Sequence, residues 1–194
     1  WRQTYSRGAP TSKLQSLGNA NWRGTLVTFT PDHEIFGKTT HFKPERLYAL
    51  ARSKAYLFKG VEIRWTCDPA LLRGDDVPAT ATLHFPGGLA DYLNESLAGK
   101  NTITPESFAG SADFPDKAGR MDWAIAWPED DEGFCQTYCN TIPTPQGGAH
   151  EAGMRAALAR SMRAYGELVS NRRASQISPD DIVGGAAIVL SVFI

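Results

Sequence analysis

The sequence predicts an α+β fold, because strand-like and helix-like periodicities both occur along its 194 residues. Apolar and polar residues alternate over residues 61–66 and 80–85, which is typical of strands with one solvated face, and residues 121–127 form the clearest strand-like run of the chain. Apolar residues recur at intervals of three and four after Pro44 and after Gly148, which is typical of amphipathic helices. With 42% hydrophobic residues, the chain has enough apolar material to fill a core.

Two strands are predicted in the first 43 residues. Residues 1–6 alternate before a turn, and residues 24–30 alternate again, with Thr25, Val27 and Phe29 on one face. The hydroxyl of Thr25 therefore lies among apolar neighbours. Such a hydroxyl can orient a ligand base or bound water, although a strand threonine more often bonds to a neighbouring residue.

A helix is predicted from Pro44, which suits a first helical turn, to Gly60, which ends the apolar repeat. Residues 61–66 and 80–85 then form two antiparallel strands. A short helix follows the Gly87-Gly88 pair.

Three further strands are predicted at residues 107–112, 121–127 and 134–142. The acidic residues 129–132 would form a solvated hairpin loop between the last two strands. Residues 188–194 are predicted to form a buried strand, because they are almost continuously apolar.

The longest helix is predicted to begin after Gly148. Its buried stripe is expected to consist of Met154, Ala157, Leu158, Ser161, Met162, Tyr165 and Leu168. A shorter helix is predicted at Ser178-Pro179-Asp180-Asp181, which has the spacing of a capping box.

The net charge of −1 does not indicate a nucleic-acid binder, but the charges are unevenly distributed. Residues 104–139 contain eight acidic and two basic residues, whereas residues 147–173 contain five arginines and two glutamates. No apolar run approaches the roughly 20 residues of a membrane span. Three cysteines indicate a reducing compartment rather than a disulfide framework, so a cytosolic protein is expected.

Metal and nucleophilic chemistry find little support in the sequence. The four histidines are far apart and match no metal-binding spacing. Cys135 and Cys139 would lie about 13 Å apart on a strand, so they are expected to be buried thiols. His150 and Glu151 are adjacent on a helix and point in different directions, which disfavours a catalytic pair.

Anion binding is the better-supported possibility. The Gly147-Gly148 pair could hold an anion at a helix start, or it could simply form a tight turn. On that helix Arg155, Arg163 and Arg160 fall at about 0°, 80° and 140°, an arc that could follow phosphates. An ordinary solvated helix face would show the same pattern.

A longer block resembles the B subunits of bacterial type IIA DNA topoisomerases. Residues 140–150 read Asn-Thr-Ile-Pro-Thr-Pro-Gln-Gly-Gly-Ala-His, similar to that family's Asn-x-Ile-Pro-x-x-Gln-Gly-Gly-Thr-His pattern, with Ala149 as a departure. Further matches occur in the family's order: Trp1-Arg2-Gln3-x-Tyr5, Gly24-Thr25-x-Val27-x-Phe29, Gly60-Val61-Glu62-Ile63, Gly87-Gly88-Leu89-Ala90-Asp91-Tyr92-Leu93 and Leu190-Ser191-Val192. Thr144 and the Leu-x-Asp-Tyr-Leu helix resemble topoisomerase IV more than gyrase, which remains the alternative.

The resemblance implies a particular architecture. Residues 1–86 would form the C-terminal part of a GHKL-type ATPase sheet, and residues 87–194 a transducer domain similar to domain 2 of ribosomal protein S5. The transducer would stop before the Gln-Thr-Lys loop of the family. Both ends of the chain are therefore expected to lie inside a longer protein.

The resemblance also implies a function: coupling ATP binding and hydrolysis to closure of a dimer gate and passage of DNA. ATP and Mg²⁺ would be the cofactors of the full enzyme. Its partners would be double-stranded DNA, the A subunit of topoisomerase IV (ParC) and a second B subunit, and its location the cytoplasm.

Site residues follow from the same resemblance. Arg2, Thr25 and Val27 match positions that line or flank the adenine pocket. Arg155 matches a residue of the DNA cavity, to which we add Arg160 and Arg163. The family's catalytic and metal-binding residues precede Trp1, so we expect neither a catalytic residue nor a metal ligand in this chain.

Two other classes remain as alternatives. A stand-alone nucleic-acid-binding module of S5-like fold would be expected to have a net basic domain. A GHKL protein of the mismatch-repair or chaperone type would share the architecture but not the Pro-x-x-Gln-Gly-Gly-x-His block.

Overall fold

The structure, a computed structural model, describes residues 1–19, 21, 23–74, 76–129 and 133–194. These residues form two compact units, residues 1–43 and residues 44–194.

The first unit contains little regular structure. Strands β1 (Tyr5–Ser6) and β2 (Ala9–Pro10) pair antiparallel, and helix α1 spans His33–Phe36. The described residues between 23 and 32 lie in neither helix nor strand, so the strand predicted at 24–30 is wrong. An extended segment becomes a stable strand only when its N–H and C=O groups pair with a neighbour, and none of the described strands lies beside this one.

The second unit contains four α-helices and seven strands among its described residues. The helices are α2 (Pro44–Leu57), α3 (Leu89–Ser96), α4 (Ala149–Leu168) and α5 (Pro179–Val183). The strands are β3 (Glu62–Thr66), β4 (Thr80–His84), β5 (Phe108–Asp113), β6 (Arg120–Ala126), β7 (Cys135–Cys139), β8 (Ile142–Pro143) and β9 (Ala187–Phe193). Short 3-10 turns span Pro69–Leu71, Pro115–Lys117 and Arg172–Gln176.

Strands β3 and β4 form the predicted antiparallel pair, and the other five strands form a mixed sheet in the order β5-β6-β9-β7-β8. Strand β9 is antiparallel to β6 and parallel to β7. The predicted hairpin between residues 121–127 and 134–142 is therefore wrong, because β9 lies between β6 and β7. All of β9 except Phe193 is buried, and a strand that is apolar on both faces is most stable at the centre of a sheet. Residues 130–132 of the predicted acidic loop lie outside the described residues.

The strand predicted at 134–142 is interrupted by a two-residue turn. Asn140 and Thr141 have φ of +48° and +67°, so the chain reverses and β8 pairs with the end of β7. Positive φ at both central residues is the geometry that a two-residue hairpin favours. Asparagine tolerates this region better than most residues do.

Apolar clusters cover both faces of the mixed sheet. Ala187 and Val189 of β9 pack in the cluster that includes α2, β4 and α3. Ile188 and Leu190 pack on the opposite face, in the cluster that includes α4 and α5. The predicted boundary after residue 86 falls within the second unit, and a division there stays a prediction.

The buried face of α4 differs from the predicted stripe. Met154, Ala159 and Gly166 are buried, whereas Tyr165 is 62% and Leu168 81% exposed. The cause is the 3-10 turn Arg172–Gln176, which packs so closely that a Cβ on Gly166 would lie 1.9 Å from the Cβ of Ala174. This contact turns the side of α4 that carries Gly166 toward the protein.

Helix α5 begins with the predicted capping box. The Asp181 carboxylate accepts hydrogen bonds from the backbone N–H and the hydroxyl of Ser178, at 2.8 and 2.7 Å. The Ser178 hydroxyl accepts from the Asp181 N–H at 3.2 Å. The backbone hydrogen bond, followed by the hydroxyl, lowers the pKa of Asp181 below its usual value.

Asp181→Asn should reduce stability at neutral pH but not in acid. A folded-state pKa that is lowered contributes stability above the unfolded-state pKa, and this stability is lost as the pH falls through the folded value. Urea unfolding at several pH values should therefore show a difference from wild type at pH 7 that shrinks below about pH 4. Glu167→Gln, at an exposed position of α4, is the control and should show no such trend. A difference that is constant with pH would contradict the role of the Asp181 charge.

Candidate functional site

The Gly147-Gly148 pair forms the turn into α4. Gly147 has φ of +72° and its N–H donates to the carbonyl of Thr144 at 2.8 Å. A Cβ at Gly147 would lie 2.6 Å from the Glu151 carboxylate, so a larger residue would displace that side chain. The glycines therefore allow Glu151 to lie over the start of the helix.

A short chain of polar contacts fixes His150 at the same place. The hydroxyls of Thr137 and Thr144 are 2.6 Å apart, and the Thr144 hydroxyl is 3.2 Å from Nε2 of His150. His150 is half-buried and Thr137 is buried. The imidazole therefore links β7 to α4 through two threonines, rather than pairing with the adjacent Glu151.

Arg155 is held by acidic residues. Its Nε donates to Oε1 of Glu151 at 2.9 Å, its Nη2 forms an ion pair with the same oxygen at 2.8 Å, and its Nη1 lies 4.0 Å from Asp180. The Arg155 side chain is 33% exposed and that of Glu151 only 18%. The positive charge of this arginine is therefore largely balanced within the protein.

The other two predicted arginines of α4 differ from each other. Nε of Arg163 donates to the carbonyl of Ile177 at 2.7 Å, which ties the helix to the segment before α5. Arg160 is exposed, and in the part of the chain that the structure describes it makes no hydrogen bond or ion pair. Of the three, Arg160 has the side chain most available to an external anion.

The thiols of β7 are less buried than predicted. Cys135 is exposed and Cys139 half-buried, and both are free. Although the residue as a whole is exposed, desolvation by the surrounding protein raises the pKa of the Cys135 thiol, and the Glu151 carboxylate raises it further. A raised pKa leaves a smaller share of the thiol as thiolate, the form that acts as a nucleophile.

The predicted adenine-pocket residues lie in the first unit. Arg2 exchanges two backbone hydrogen bonds with Gln15, at 2.7 and 2.9 Å. Thr25 is exposed and Val27 is 74% exposed, both in the segment without helix or strand. Within the described residues no hydrogen bond joins Arg2, Thr25 and Val27, so the structure does not bring them together by polar contacts.

A buried tyrosine cluster was not predicted. The hydroxyls of Tyr56 on α2 and Tyr138 on β7 are 2.6 Å apart, and the rings of Tyr56 and Tyr92 stack at 3.9 Å. Gln136 accepts hydrogen bonds from Tyr92 and Tyr138 at 3.2 and 3.4 Å. Burial raises the pKa of Tyr56 far above its ordinary value, so it stays neutral. Nothing in the local sequence marks this cluster, because its members are far apart along the chain.

The described ranges contain no group of three His, Cys, Asp or Glu side chains that could hold a metal ion. Among the described helices, none has the length and apolar character needed to cross a membrane.

The fold is similar to about half of a topoisomerase ATPase domain. The chain is similar to the 43K ATPase domain of Thermus thermophilus gyrase B, solved with an aminocoumarin, with a TM-score of 0.79 and 26% identity over 99% of this chain and 51% of that one. The topoisomerase IV ATP-binding domain of Francisella tularensis shares the fold, with a TM-score of 0.68 and 22% identity over 99% of this chain and 50% of that one. The predicted α+β class is thereby confirmed.

Residues 88–194, more than half of the chain, match the family model of DNA gyrase B. The chain belongs to the DNA gyrase B family. It is 52% identical to the B subunit of DNA topoisomerase 4 from Caulobacter vibrioides, over 99% of this chain and 28% of the relative, and 50% identical to that from Bartonella bacilliformis, over 100% and 28%. The chain thus spans less than a third of the length of these relatives. The resemblance seen in the sequence is confirmed.

Proposed function

We propose that the chain is a fragment of the ATPase and transducer region of the B subunit of DNA topoisomerase IV, a type IIA enzyme in which this region couples ATP binding and hydrolysis to closure of a dimer gate and passage of DNA. The likeness to the B subunits of topoisomerase 4 over the whole chain is the observation that carries this proposal. The B subunit of gyrase is the second candidate, because the matching family model is that of DNA gyrase B.

Residues 1–86 are proposed as the C-terminal part of the ATPase sheet and residues 87–194 as the transducer domain. The family match that begins at residue 88 supports this division. In the complete enzyme, the proposed partners are double-stranded DNA, the A subunit of topoisomerase IV and a second B subunit, in the cytoplasm.

Arg2, Thr25 and Val27 are proposed as one wall of the adenine pocket. Thr25 has an exposed hydroxyl that can donate and accept, and Val27 has an exposed apolar side chain, which together suit a nucleobase. We propose no ligands for Mg²⁺ in this chain, since the described residues contain no group of three His, Cys, Asp or Glu side chains that could hold a metal ion. ATP supplies the hydrolysable phosphoanhydride when bound, and the role proposed for this chain is to orient the base.

Arg160, together with Arg163 and Arg155, is proposed to line the cavity through which DNA passes. A strand-passing enzyme must accept any sequence, so its contacts should be to phosphates rather than to base edges. The guanidinium of Arg160, which has no protein partner among the residues that the structure describes, fits this requirement. Arg155 and Arg163 are tied to Glu151 and Ile177, so they would shape this surface more than bind to it.

The proposal is tested with the complete protein and its partner subunit. Linked DNA circles should be separated in the presence of ATP and remain linked without it. Separation at the same rate without ATP, or none under either condition, would contradict the proposed function.

The chain of 194 residues alone should bind nucleotide weakly. It is proposed to supply one wall of the base pocket and no metal ligand, so most of the contacts to the phosphates would be missing. Calorimetric titration with a non-hydrolysable ATP analogue should therefore show no micromolar affinity. Micromolar binding would mean that residues of this chain contact the phosphates.

A further inference from the structure

The two-residue turn between β7 and β8 holds a residue in an unfavourable conformation. Thr141 has φ of +67°, in the left-handed region that β-branched residues rarely adopt. Such a conformation persists only where surrounding contacts hold it, and it is a reason to look for function. The contacts that hold the turn come from helix α2 and from the end of β9.

Lys54 supplies two of these contacts. Its Nζ donates to the carbonyl of Thr141 at 3.0 Å and to the Thr141 hydroxyl at 2.5 Å, across 87 positions of the sequence. Lys54 lies in the last turn of α2 and is half-buried. Within the described ranges it makes no ion pair, so its ammonium group is directed to the turn alone.

The same turn is joined to the end of β9. The N–H of Asn140 donates to the carbonyl of Val192 at 2.8 Å, and the N–H of Ile194 donates to Oδ1 of Asn140 at 3.1 Å. Two residues before the turn, Tyr138 is hydrogen-bonded to Tyr56. Helix α2 therefore contacts this hairpin at two points, through Lys54 and through Tyr56. The turn is also hydrogen-bonded to the last residues of β9.

The hairpin is in turn linked to the start of α4. Thr137 of β7 contacts Thr144, which follows β8, and Thr144 contacts His150 in the first turn of α4. A shift of the hairpin relative to α2 would therefore also move the start of α4, the helix that carries the three arginines.

We propose that Lys54 is a positioning residue that holds the strained Asn140-Thr141 turn and so sets the position of α4 relative to α2. This inference rests on the proposed function, in which α2 belongs to the ATPase region and α4 faces DNA. Lys54 then acts through Thr141 and does not itself contact nucleotide. Its loss reduces the stimulation of ATP hydrolysis by DNA.

The experiment uses the complete B subunit with its partner subunit, and the variant Lys54→Met, whose unbranched side chain is one atom shorter than that of lysine and has no hydrogen-bond donor. Hydrogen exchange at the amides of Asn140 and Ile194 should become about tenfold faster, since a hydrogen bond from a charged group is lost. The stimulation of ATP hydrolysis by DNA should fall several-fold, while hydrolysis without DNA is unchanged. Lys59→Met, an exposed lysine just after α2, is the matched control and should resemble wild type.

Thr141→Gly provides the second arm, because glycine adopts positive φ without strain. In that background, Lys54→Met should speed exchange by clearly less than the roughly tenfold expected for the wild-type turn, since the strain and the hydroxyl contact are gone and only the hydrogen bond to the carbonyl of residue 141 remains to be lost. An equal effect in both backgrounds, faster exchange along the whole chain, or unchanged exchange at Asn140 and Ile194 would each overturn the inference. If wild-type hydrolysis is not stimulated by DNA at all, the proposed function fails, while the exchange measurements still decide whether Lys54 holds the turn.

Discussion

Arg160→Glu should reduce DNA strand passage by the complete enzyme about tenfold or more, while ATP hydrolysis without DNA stays unchanged. Arg160 is exposed and free of protein partners among the described residues, so the substitution should leave the fold intact. If Arg160 lines the DNA cavity as proposed, the substitution removes a phosphate contact and places a negative charge against the DNA backbone. Separation of linked circles, measured beside hydrolysis in the same preparation, tests both parts.

The salt dependence of DNA binding distinguishes a phosphate contact from a general loss of affinity. Losing one contact should reduce the slope of log K against log salt by about 1, with little dependence on DNA sequence. Arg46→Glu, which reverses an exposed charge on α2, is the control. Wild-type strand passage and an unchanged slope for Arg160→Glu would mean that this part of α4 is only a solvated helix face.

Arg155→Glu is a less direct test, although the resemblance favours Arg155. Its guanidinium is bound to Glu151 and lies 4.0 Å from Asp180. A glutamate at this position would place three carboxylates together and lose the ion pair. A loss of strand passage would then mix an effect on DNA with an effect on the start of α4.

Local patterns in the sequence were enough to predict many elements of the second unit. Pro44 begins α2, the capping box of Ser178 and Asp181 begins α5, and the apolar run after Gly185 forms β9. Each signal lies within a few residues of the element that it marks. The order of the strands has no such local signal, because β9 lies between β6 and β7 through pairing with residues that are far away in the sequence.

The contacts of the candidate site likewise include local ones, which the sequence can indicate, and ones between residues far apart in the sequence, which it cannot. The pairing of Glu151 with Arg155 is an i, i+4 contact that the sequence spacing could have indicated. The contacts of Lys54 with Thr141 and of Tyr56 with Tyr138 span more than 80 positions, so no local pattern predicts them. The strand predicted around Thr25 failed for a related reason, since strand pairing depends on partners elsewhere in the protein.

The buried face of α4 is where periodicity and packing disagree, and two leucine substitutions test which is right. Leu190 lies in the centre of β9 with no exposed surface, whereas Leu168, predicted to be buried, is 81% exposed. Leu190→Ala should lower the free energy of unfolding by about 2–5 kcal/mol, because a cavity is left in the core. Leu168→Ala should change it by less than about 0.5 kcal/mol.

Urea unfolding followed by tryptophan fluorescence is suited to this comparison, because Trp123 lies directly opposite Leu190 in the sheet. The two variants delete the same atoms, so the difference between them depends on environment alone. Equal losses of stability would mean that the C-terminal end of α4 is covered in the folded protein, as the apolar repeat of the helix predicts. A large loss for Leu190→Ala alone would show that Leu168 lies on the solvent-exposed side of α4, contrary to the apolar repeat of the helix.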